Sequence, residues 1–567
     1  MSARMSAPSR SHDGDRSRVR APAGITAACL AIALLVTLAA CGSKSSAASS
    51  ASPGTSSGVR VQFTTTPATG TLSSITWDLP AGEPTTLDYA KAADYSPDMM
   101  ISNMCDYLLR LTPDWKIQPG LAQSWSNPNP TTWIYNIRPG VKFWDGHPLT
   151  AADVVYSLQR NLDPKVQPVN GGFFAYVKAI KETGPLQVTV TFKQPDELFN
   201  KEMATIAGGI TEKAYVQKAG SSFGTAKGGV MYTGPYMLKS WSAGNEIVLQ
   251  KNPNYWDAAF APKVQTVTVK FIVDSSTLTS ALLSGQLDGA YEVPSTSIPE
   301  LKTASTGKLY FGPGLTVSEM VPTGEPGPMS NPQLRTALMM AIDRTAIVNA
   351  VFNGAAVPNK ALTPPNAWDP AAIGIYKTAY DALPSLTPDV AGAKTIVAGQ
   401  SGTTKPIVLA LLAGDQTELQ LASVVQQAAS SIGLHVTLKQ MQPLDFSNAF
   451  FIPSYRKGID LMVTFGFLDI PDPLDYLALF YGPQPIFNWI NYNNPTVLNN
   501  VAAARATFDA TKRAQLVTEA QAQYMKDQVV LPIANNDEVL FMNNRITGAP
   551  VSFAYIYLPS LAMIGAK

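Results

Sequence analysis

The chain has 567 residues, of which 46% are hydrophobic and 15% charged, a composition that allows a large core and more than one domain. Its formal net charge is +1. Residues 1–40 contain five arginines and two aspartates, so the remainder of the chain is slightly acidic. This balance excludes a broad basic surface for nucleic acid or for an anionic membrane, and we predict no nucleic-acid partner.

The first forty residues have the pattern of a secretion signal. Three arginines between positions 16 and 20 precede an apolar stretch, 25–38, which is too short to span a bilayer and fits a signal peptide over residues 1–40. The stretch ends in the sequence LAACG, residues 38–42, which resembles the lipobox of bacterial lipoproteins. The resemblance implies that Cys41 is lipidated; the alternative is an ordinary signal peptide followed by an incidental cysteine.

Residues 41–58 consist almost entirely of Ser, Ala, Gly, Thr and Pro and predict a flexible tether after the lipidated cysteine. More than one acyl chain gives stable anchoring, so we expect the protein at the cell membrane, lipid-anchored on its extracytoplasmic face.

Strand and helix patterns alternate beyond the tether, which predicts an α/β protein. Val188–Phe192 and Val267–Phe271 alternate with period two, as strands do. Thr150 with Asp153 forms a capping-box pattern, and Asn331-Pro332 is a second helix start. A further helix is expected over about residues 511–527.

A segment rich in glycine and proline lies near the middle of the chain. Residues 312–331 include the sequence GEPGP, which predicts a loop that serves as a hinge or domain boundary.

The sequence offers no recognisable catalytic or metal-binding motif. His147 and His435 are the only histidines beyond the signal peptide, and neither has metal-ligand spacing. The sequence has no Walker loop and no CxxC motif. We therefore predict a non-enzyme that needs no metal and no cofactor.

Eight short motifs occur in the order found in one protein family. They are EPTTLD (83–88), PGLAQSW (119–125), IRPGVKFWDG (137–146), LTAADVVYSL (149–158), TGPY (233–236), NPNYW (252–256), LSGQLD (283–288) and the segment 335–344, which ends in AIDR. Over residues 75–550 the chain resembles the extracellular solute-binding proteins of family 5, the peptide- and nickel-binding group of ABC importers. Most of these residues are typical of turns and helix ends, so they indicate a fold and locate no ligand.

The resemblance implies the periplasmic binding protein type II fold, with two lobes, a hinge and an extra domain. Lobe I would comprise residues 59–106, 232–311 and 536–567, the extra domain 107–231, and lobe II 312–535. The expected partners are a small-molecule ligand held between the lobes and the permease subunits of an ABC transporter. We expect a monomer.

In peptide-binding members of this family, an aspartate pairs with the α-ammonium group of the ligand, and Asp469 matches that position. The strand before it, Phe465, Gly466 and Phe467, would bind the ligand backbone. The alternative is that Asp469 only caps the turn before Pro471. Many relatives have a tryptophan shortly before the aspartate, and some peptide binders have a basic residue where this chain has Val463.

Further candidate ligand-binding residues come from other segments. Asp94 and Tyr95 align with a segment that flanks the ligand in relatives. Arg456 is a candidate for holding a ligand carboxylate, and Asn488 and Trp489 are candidates for lining the second lobe. The alternatives for Trp489 are an exposed contact between the lobes and ordinary core packing.

These expectations combine into one function: an extracytoplasmic lipoprotein that binds a short peptide between two lobes and delivers it to an ABC transporter permease. The alternatives are another solute, such as an oligosaccharide or a metal chelate, an exported hydrolase, or a ligand-sensing receptor.

Overall fold

The computed structural model describes residues 61–567. The signal peptide, Cys41 and the tether therefore lie outside the described residues. The strands are β1 (Leu72–Asp78), β2 (Leu109–Leu111), β3 (Ile117–Pro119), β4 (Ala122–Asn129), β5 (Thr132–Ile137), β6 (Val177–Gly184), β7 (Gln187–Phe192), β8 (Tyr236–Ser242), β9 (Glu246–Lys251), β10 (Val264–Lys270), β11 (Gly289–Ala290), β12 (Gly307–Pro322), β13 (Ala356–Pro358), β14 (Ile407–Leu412), β15 (Val436–Met441), β16 (Leu461–Phe467), β17 (Leu531–Asn543), β18 (Ile546–Thr547) and β19 (Gly565–Ala566).

Helices separate most of these strands, as the alternating sequence pattern predicts. They are α1 (Tyr95–Met104), α2 (Ala151–Arg160), α3 (Leu198–Glu202), α4 (Lys213–Ala219), α5 (Ser275–Ser284), α6 (Ile298–Leu301), α7 (Pro332–Ala341), α8 (Arg344–Ala350), α9 (Ile373–Asp381), α10 (Val390–Ala398), α11 (Gln416–Ser431), α12 (Pro443–Phe451), α13 (Pro473–Tyr481), α14 (Pro495–Arg505), α15 (Ala510–Lys526) and α16 (Ser560–Met563).

One large mixed sheet organises the described chain. Its strand order is β15-β14-β16-β12-β17-β11-β1-β10-β9-β8, with β13 also paired to β17. The long strands β12 and β17 pair antiparallel in the middle of this sheet. They connect β14–β16 on one side with β1 and β8–β11 on the other. A separate antiparallel sheet, in the order β4-β5-β7-β6, falls entirely within residues 122–192.

The local signals for helices and strands are confirmed. Thr150 caps α2 in a capping box with Asp153, and Asn331 caps α7, which has Pro332 at its first position. In both cases the cap side chain accepts a hydrogen bond from a backbone N–H group that has no partner within the helix. Helix α15 and the strands β7 and β10 also lie close to the predicted segments.

The prediction of a loop over residues 312–331 is wrong for its first half. Strand β12 continues to Pro322 because it is paired on both sides, with β16 and with β17. Gly312 and Gly314 lie at a bulge, where the register with β17 shifts between Gly312 and Thr316, whereas the GEPGP sequence follows the end of the strand. Long-range pairing thus overrides the local turn signal.

The helices pack on the sheet through buried apolar side chains. A first cluster surrounds Trp77 on β1 and includes the apolar face of α1, Met99–Ile101 and Met104. A second joins α7 and α11 to β14 and β16 through residues such as Leu338, Leu421 and Val463. Among residues 61–567, none of the helices combines the length and apolar character needed to cross a bilayer.

Candidate functional site

A cavity lies where α1, the end of β16, the middle of β17 and the first turns of α11 and α12 meet. Its walls are mainly apolar and aromatic, which is typical of small-molecule sites. Its ionisable lining residues, apart from tyrosines, are all acidic: Asp94, Asp98, Glu292, Asp415, Glu418, Asp469 and Asp537. Within the described part of the chain, no lysine, arginine or histidine lines this cavity.

Six of the nine ligand-binding residues predicted from the sequence line this one cavity. They are Asp94, Tyr95, Phe465, Gly466, Phe467 and Asp469. The other three, Arg456, Asn488 and Trp489, are not among its lining residues. The guanidinium of Arg456 lies 4.4 Å from the centre of the Trp489 ring, and its Nη1 donates to backbone carbonyls of α12.

Strand β16 presents to the cavity an edge that, beyond its first two residues, no other strand of residues 61–567 pairs with. Strand β14 pairs only with its first two residues, whereas β12 pairs along its whole length. The Tyr95 hydroxyl donates to the carbonyl of Phe465 at 2.8 Å, so the backbone groups of Phe465 point away from β12. Because strand residues alternate in direction, those of Phe467 do the same. An extended ligand can add to this edge as a further strand.

The Asp469 carboxylate lies at the end of this edge, among other acidic groups. Its Oδ1 accepts a hydrogen bond from the Tyr557 hydroxyl at 2.5 Å. The same hydroxyl lies 3.1 Å from Oδ2 of Asp98, whose other carboxyl oxygen is buried without a hydrogen-bond partner among residues 61–567. A hydroxyl has one proton to donate, so Tyr557 cannot stabilise both carboxylates as anions.

Burial shifts the acid–base behaviour of this group. Loss of solvation raises the pKa of Asp469 to about 6, against the opposing hydrogen bond from Tyr557. The pKa of Asp98 is also raised, first by burial and then by the nearby Asp469 charge, and burial raises the pKa of Asp94 to about 6. A cation entering the cavity would stabilise the ionised forms of all three.

The segment after Asp469 is fixed by charged and polar contacts. The Asp475 carboxylate accepts from the backbone N–H of Asp469 at 2.6 Å. Asp472 caps α13 by accepting from the N–H of Leu474. Its carboxylate also contacts Lys201 at 2.5 Å and Arg513 at 3.4 Å. The Asp469 side chain is therefore presented by a rigid turn.

Several lining residues were not predicted from the sequence. Asp98 and Asp537 bring buried carboxyl groups to the cavity. Tyr557, which was not predicted either, lies behind the lining and contacts the carboxyl groups of Asp98 and Asp469. One signal for Asp537 was available: the sequence NNDE, residues 535–538, interrupts an apolar strand. Its relation to Asp469 is a property of the tertiary structure alone.

Two groups of side chains in the described chain have ligand atoms close enough to hold a cation. One joins Asp469 and Asp475 to Glu202, and the other joins Asp145 and Glu212 to His147. The second group is largely exposed, and its acidic partners raise the pKa of His147, with the hydrogen bond to Glu212 contributing most. Neither group has the ligand spacing of a sequence motif.

Gly466 is expected to tolerate no side chain, because a Cβ atom there would overlap the Tyr476 hydroxyl and approach Glu319 Oε1 at 3.0 Å. That hydroxyl donates to Glu319 Oε1 at 2.7 Å. The variant Gly466→Ala should therefore lower the free energy of unfolding by about 1–3 kcal/mol, the usual cost of overpacking, as measured by urea denaturation.

The control for this variant is Gly374→Ala in α9, where a Cβ atom would meet nothing within 4 Å. It should leave stability unchanged or raise it slightly. Equal effects of the two variants would contradict the close packing around Gly466.

Comparison with known proteins agrees with this geometry. Residues 116–488 match the family described as "Bacterial extracellular solute-binding proteins, family 5 Middle". The periplasmic oligopeptide-binding protein OppA of Salmonella typhimurium is 25% identical over 435 residues, which cover 73% of this chain and 78% of OppA.

Solved structures show the same fold. The oligopeptide-binding protein AppA of Bacillus subtilis, in complex with a nonapeptide, superposes with a TM-score of 0.78 at 20% identity, covering 88% of this chain and 100% of AppA. NikA of Staphylococcus aureus, in complex with Ni(L-His)2, gives a TM-score of 0.73 at 20% identity, covering 86% and 98%. The predicted α/β fold of the type II periplasmic binding proteins is confirmed, and the chain belongs to family 5 of the bacterial extracellular solute-binding proteins.

Proposed function

We propose that this protein captures a short peptide in the cavity, with the peptide's α-ammonium group paired to Asp469, and delivers it to the permease of an ABC importer. One observation carries the proposal: a partly buried carboxylate stands at the end of an unpaired strand edge, in a cavity whose described lining has no basic side chain. A peptide can make both interactions: its ammonium group can pair with Asp469, and its backbone can form hydrogen bonds with β16.

The energetics favour a charged amino terminus. A hydrogen bond between a charged donor and a carboxylate contributes about 1.5–3 kcal/mol once desolvation is included. Backbone pairing to β16 adds affinity that depends little on side chains. The names of OppA and AppA, both oligopeptide-binding proteins, support this ligand class.

The proposed lobes share the large sheet, and the proposed extra domain contains the smaller one. Strands β1 and β8–β11 fall within the residues proposed for lobe I, strands β13–β16 within lobe II, and the four-stranded sheet within the extra domain. The paired strands β12 and β17 would form the hinge. Closure would then be favoured by a ligand that contacts both lobes.

We further propose that Cys41 is lipidated and that the protein acts as a monomer at the extracytoplasmic face of the cell membrane. Palmitate labelling of the full-length chain and of Cys41→Ala in the producing cells tests the anchor. Labelling that persists in the variant would contradict it.

The first measurement is a thermal-shift screen of residues 42–567 against di- to pentapeptides, their N-acetylated forms, oligosaccharides and metal chelates. A peptide at 100 times its dissociation constant should stabilise the protein by about 2.7 kcal/mol. We expect stabilisation by peptides with a free amino terminus and a much smaller effect of the acetylated forms. Stabilisation by sugars or chelates alone would contradict the peptide assignment.

A further inference from the structure

Asp537 presents to the cavity a buried carboxyl group that has no partner in the described part of the chain. The residue is 8% exposed and lines the cavity from the middle of β17. Its Oδ2 atom has no hydrogen-bond partner, and none of the ion pairs among the described residues includes it. Only its backbone is engaged, through the N–H group that donates to the carbonyl of Ala355.

Such an arrangement is unfavourable in the empty protein. A carboxylate removed from water and left without a hydrogen bond or counter-ion destabilises the fold. Burial alone raises the pKa of Asp537 to about 7. Because this side chain stabilises nothing within the described chain, a group that enters the cavity is the natural partner for it.

The rest of the lining favours a cation over any other partner. Glu292 also faces the cavity, in a left-handed backbone conformation with φ of 50°. Its N–H group donates to Glu538 Oε1 at 3.2 Å, so this strained position is held beside a second carboxyl group. Asp415 and Glu418 add acidic character, although their carboxylates accept hydrogen bonds from backbone N–H groups around α11.

We propose that the cavity selects peptides that carry a lysine or arginine side chain, and that Asp537 is the residue that pairs with this side-chain cation. The proposal rests on the proposed peptide-binding function and adds a second charged contact to the one at Asp469. An acidic peptide would bring its carboxylate into a cavity that already contains seven acidic residues, and so it should bind weakly.

The test compares lysine with norleucine, which has the same aliphatic chain without the ammonium group. Tri- and tetra-alanine peptides with lysine, norleucine or glutamate at each position in turn are titrated against wild-type protein and Asp537→Asn. At one position, lysine should improve affinity roughly 10- to 100-fold over norleucine. In Asp537→Asn that ratio should fall to within about threefold, because the amide has no charge to pair with the ammonium group.

The controls separate recognition from folding. Asp445→Asn removes a carboxylate from an exposed position of α12 outside the cavity lining, and it should keep the full preference for lysine. Empty Asp537→Asn should melt no lower than wild type, since it removes an unpaired buried acid.

The outcomes distinguish this proposal from the one on which it rests. If lysine and norleucine peptides bind equally at every position, or if the preference for lysine survives in Asp537→Asn, the proposed role of Asp537 is overturned while peptide binding stands. If no peptide of any sequence binds, both proposals fail.

Discussion

The substitution Asp469→Asn is expected to reduce the affinity for a peptide with a free amino terminus about 10- to 100-fold. The amide retains an oxygen that can accept from Tyr557, which is 2.5 Å from Asp469 Oδ1 in the wild-type protein, but it lacks the charge that pairs with the ammonium group. The loss corresponds to about 1.5–3 kcal/mol. Isothermal titration of one peptide and its N-acetylated form against both proteins measures it.

The acetylated peptide and Asp445→Asn are the matched controls. Acetylation removes the ammonium group, so the acetylated peptide should bind wild type and Asp469→Asn with similar affinity. Asp445 is exposed on α12, and its replacement should leave both affinities unchanged. If Asp469→Asn weakens the acetylated peptide as strongly as the free one, Asp469 acts on the fold of the cavity and not on the ligand ammonium.

The same contact predicts a pH dependence of peptide affinity. Because the pKa of Asp469 is raised to about 6, its carboxylate is increasingly protonated below that pH and the attraction for the ammonium group is lost. Above about pH 8 the peptide amino terminus loses its own proton. Affinity should therefore be highest between these limits and fall on both sides. The titratable groups around Asp469 are Tyr557, Asp98, Glu202 and Asp475.

The second large effect concerns stability. Arg505 on α14 is 2% exposed, and its guanidinium group forms two hydrogen bonds to the carboxylate of Asp196, at 2.9 and 2.7 Å. It also donates to the backbone carbonyls of Gly172 and Phe173. Arg505→Met should lower the free energy of unfolding by about 3–5 kcal/mol, because it leaves Asp196 buried and unpaired. Urea denaturation measures the loss.

Two further variants define the cause of that loss. The double variant Asp196→Asn/Arg505→Met should lose less than Arg505→Met alone, because no buried charge then remains without a partner. Lys377→Met breaks the exposed pair of Lys377 with Asp381 and should cost less than about 1 kcal/mol. If Arg505→Met and Lys377→Met lower the free energy of unfolding equally, burial of the Arg505–Asp196 pair does not contribute to stability.

Short sequence motifs correctly predicted the helix starts that are stabilised by contacts between residues close in sequence. The capping box at Thr150 and the Asn331-Pro332 helix start are complete within a few residues, so the sequence is sufficient to identify them. Strand β12 is different. Its glycines suggest a turn, and only pairing with β16 and β17, which lie more than a hundred residues away, makes it a strand.

The residues of the candidate site also fall into two groups, those that the sequence predicted and those that only the tertiary structure reveals. Asp469 and the strand before it were identified because they match a family motif that is continuous in sequence. Asp98 and Asp537 come from α1 and β17, and only the tertiary structure brings them to the cavity and places Tyr557, from the C-terminal segment, against Asp98 and Asp469. Arg456 was a candidate because it is a basic residue near Asp469 in sequence. Its guanidinium is instead stacked on Trp489.

The single hydroxyl proton that Tyr557 offers to Asp98 and Asp469 has a calorimetric consequence. In the empty protein, one of these two carboxyl groups keeps its own proton so that both contacts to the hydroxyl can be hydrogen bonds. A cation that pairs with the cluster displaces this proton into the solvent. The buffer then takes it up, and the heat measured on binding includes the ionisation enthalpy of that buffer. Isothermal titrations of the same ligand in phosphate and in Tris should therefore give different binding enthalpies but the same dissociation constant.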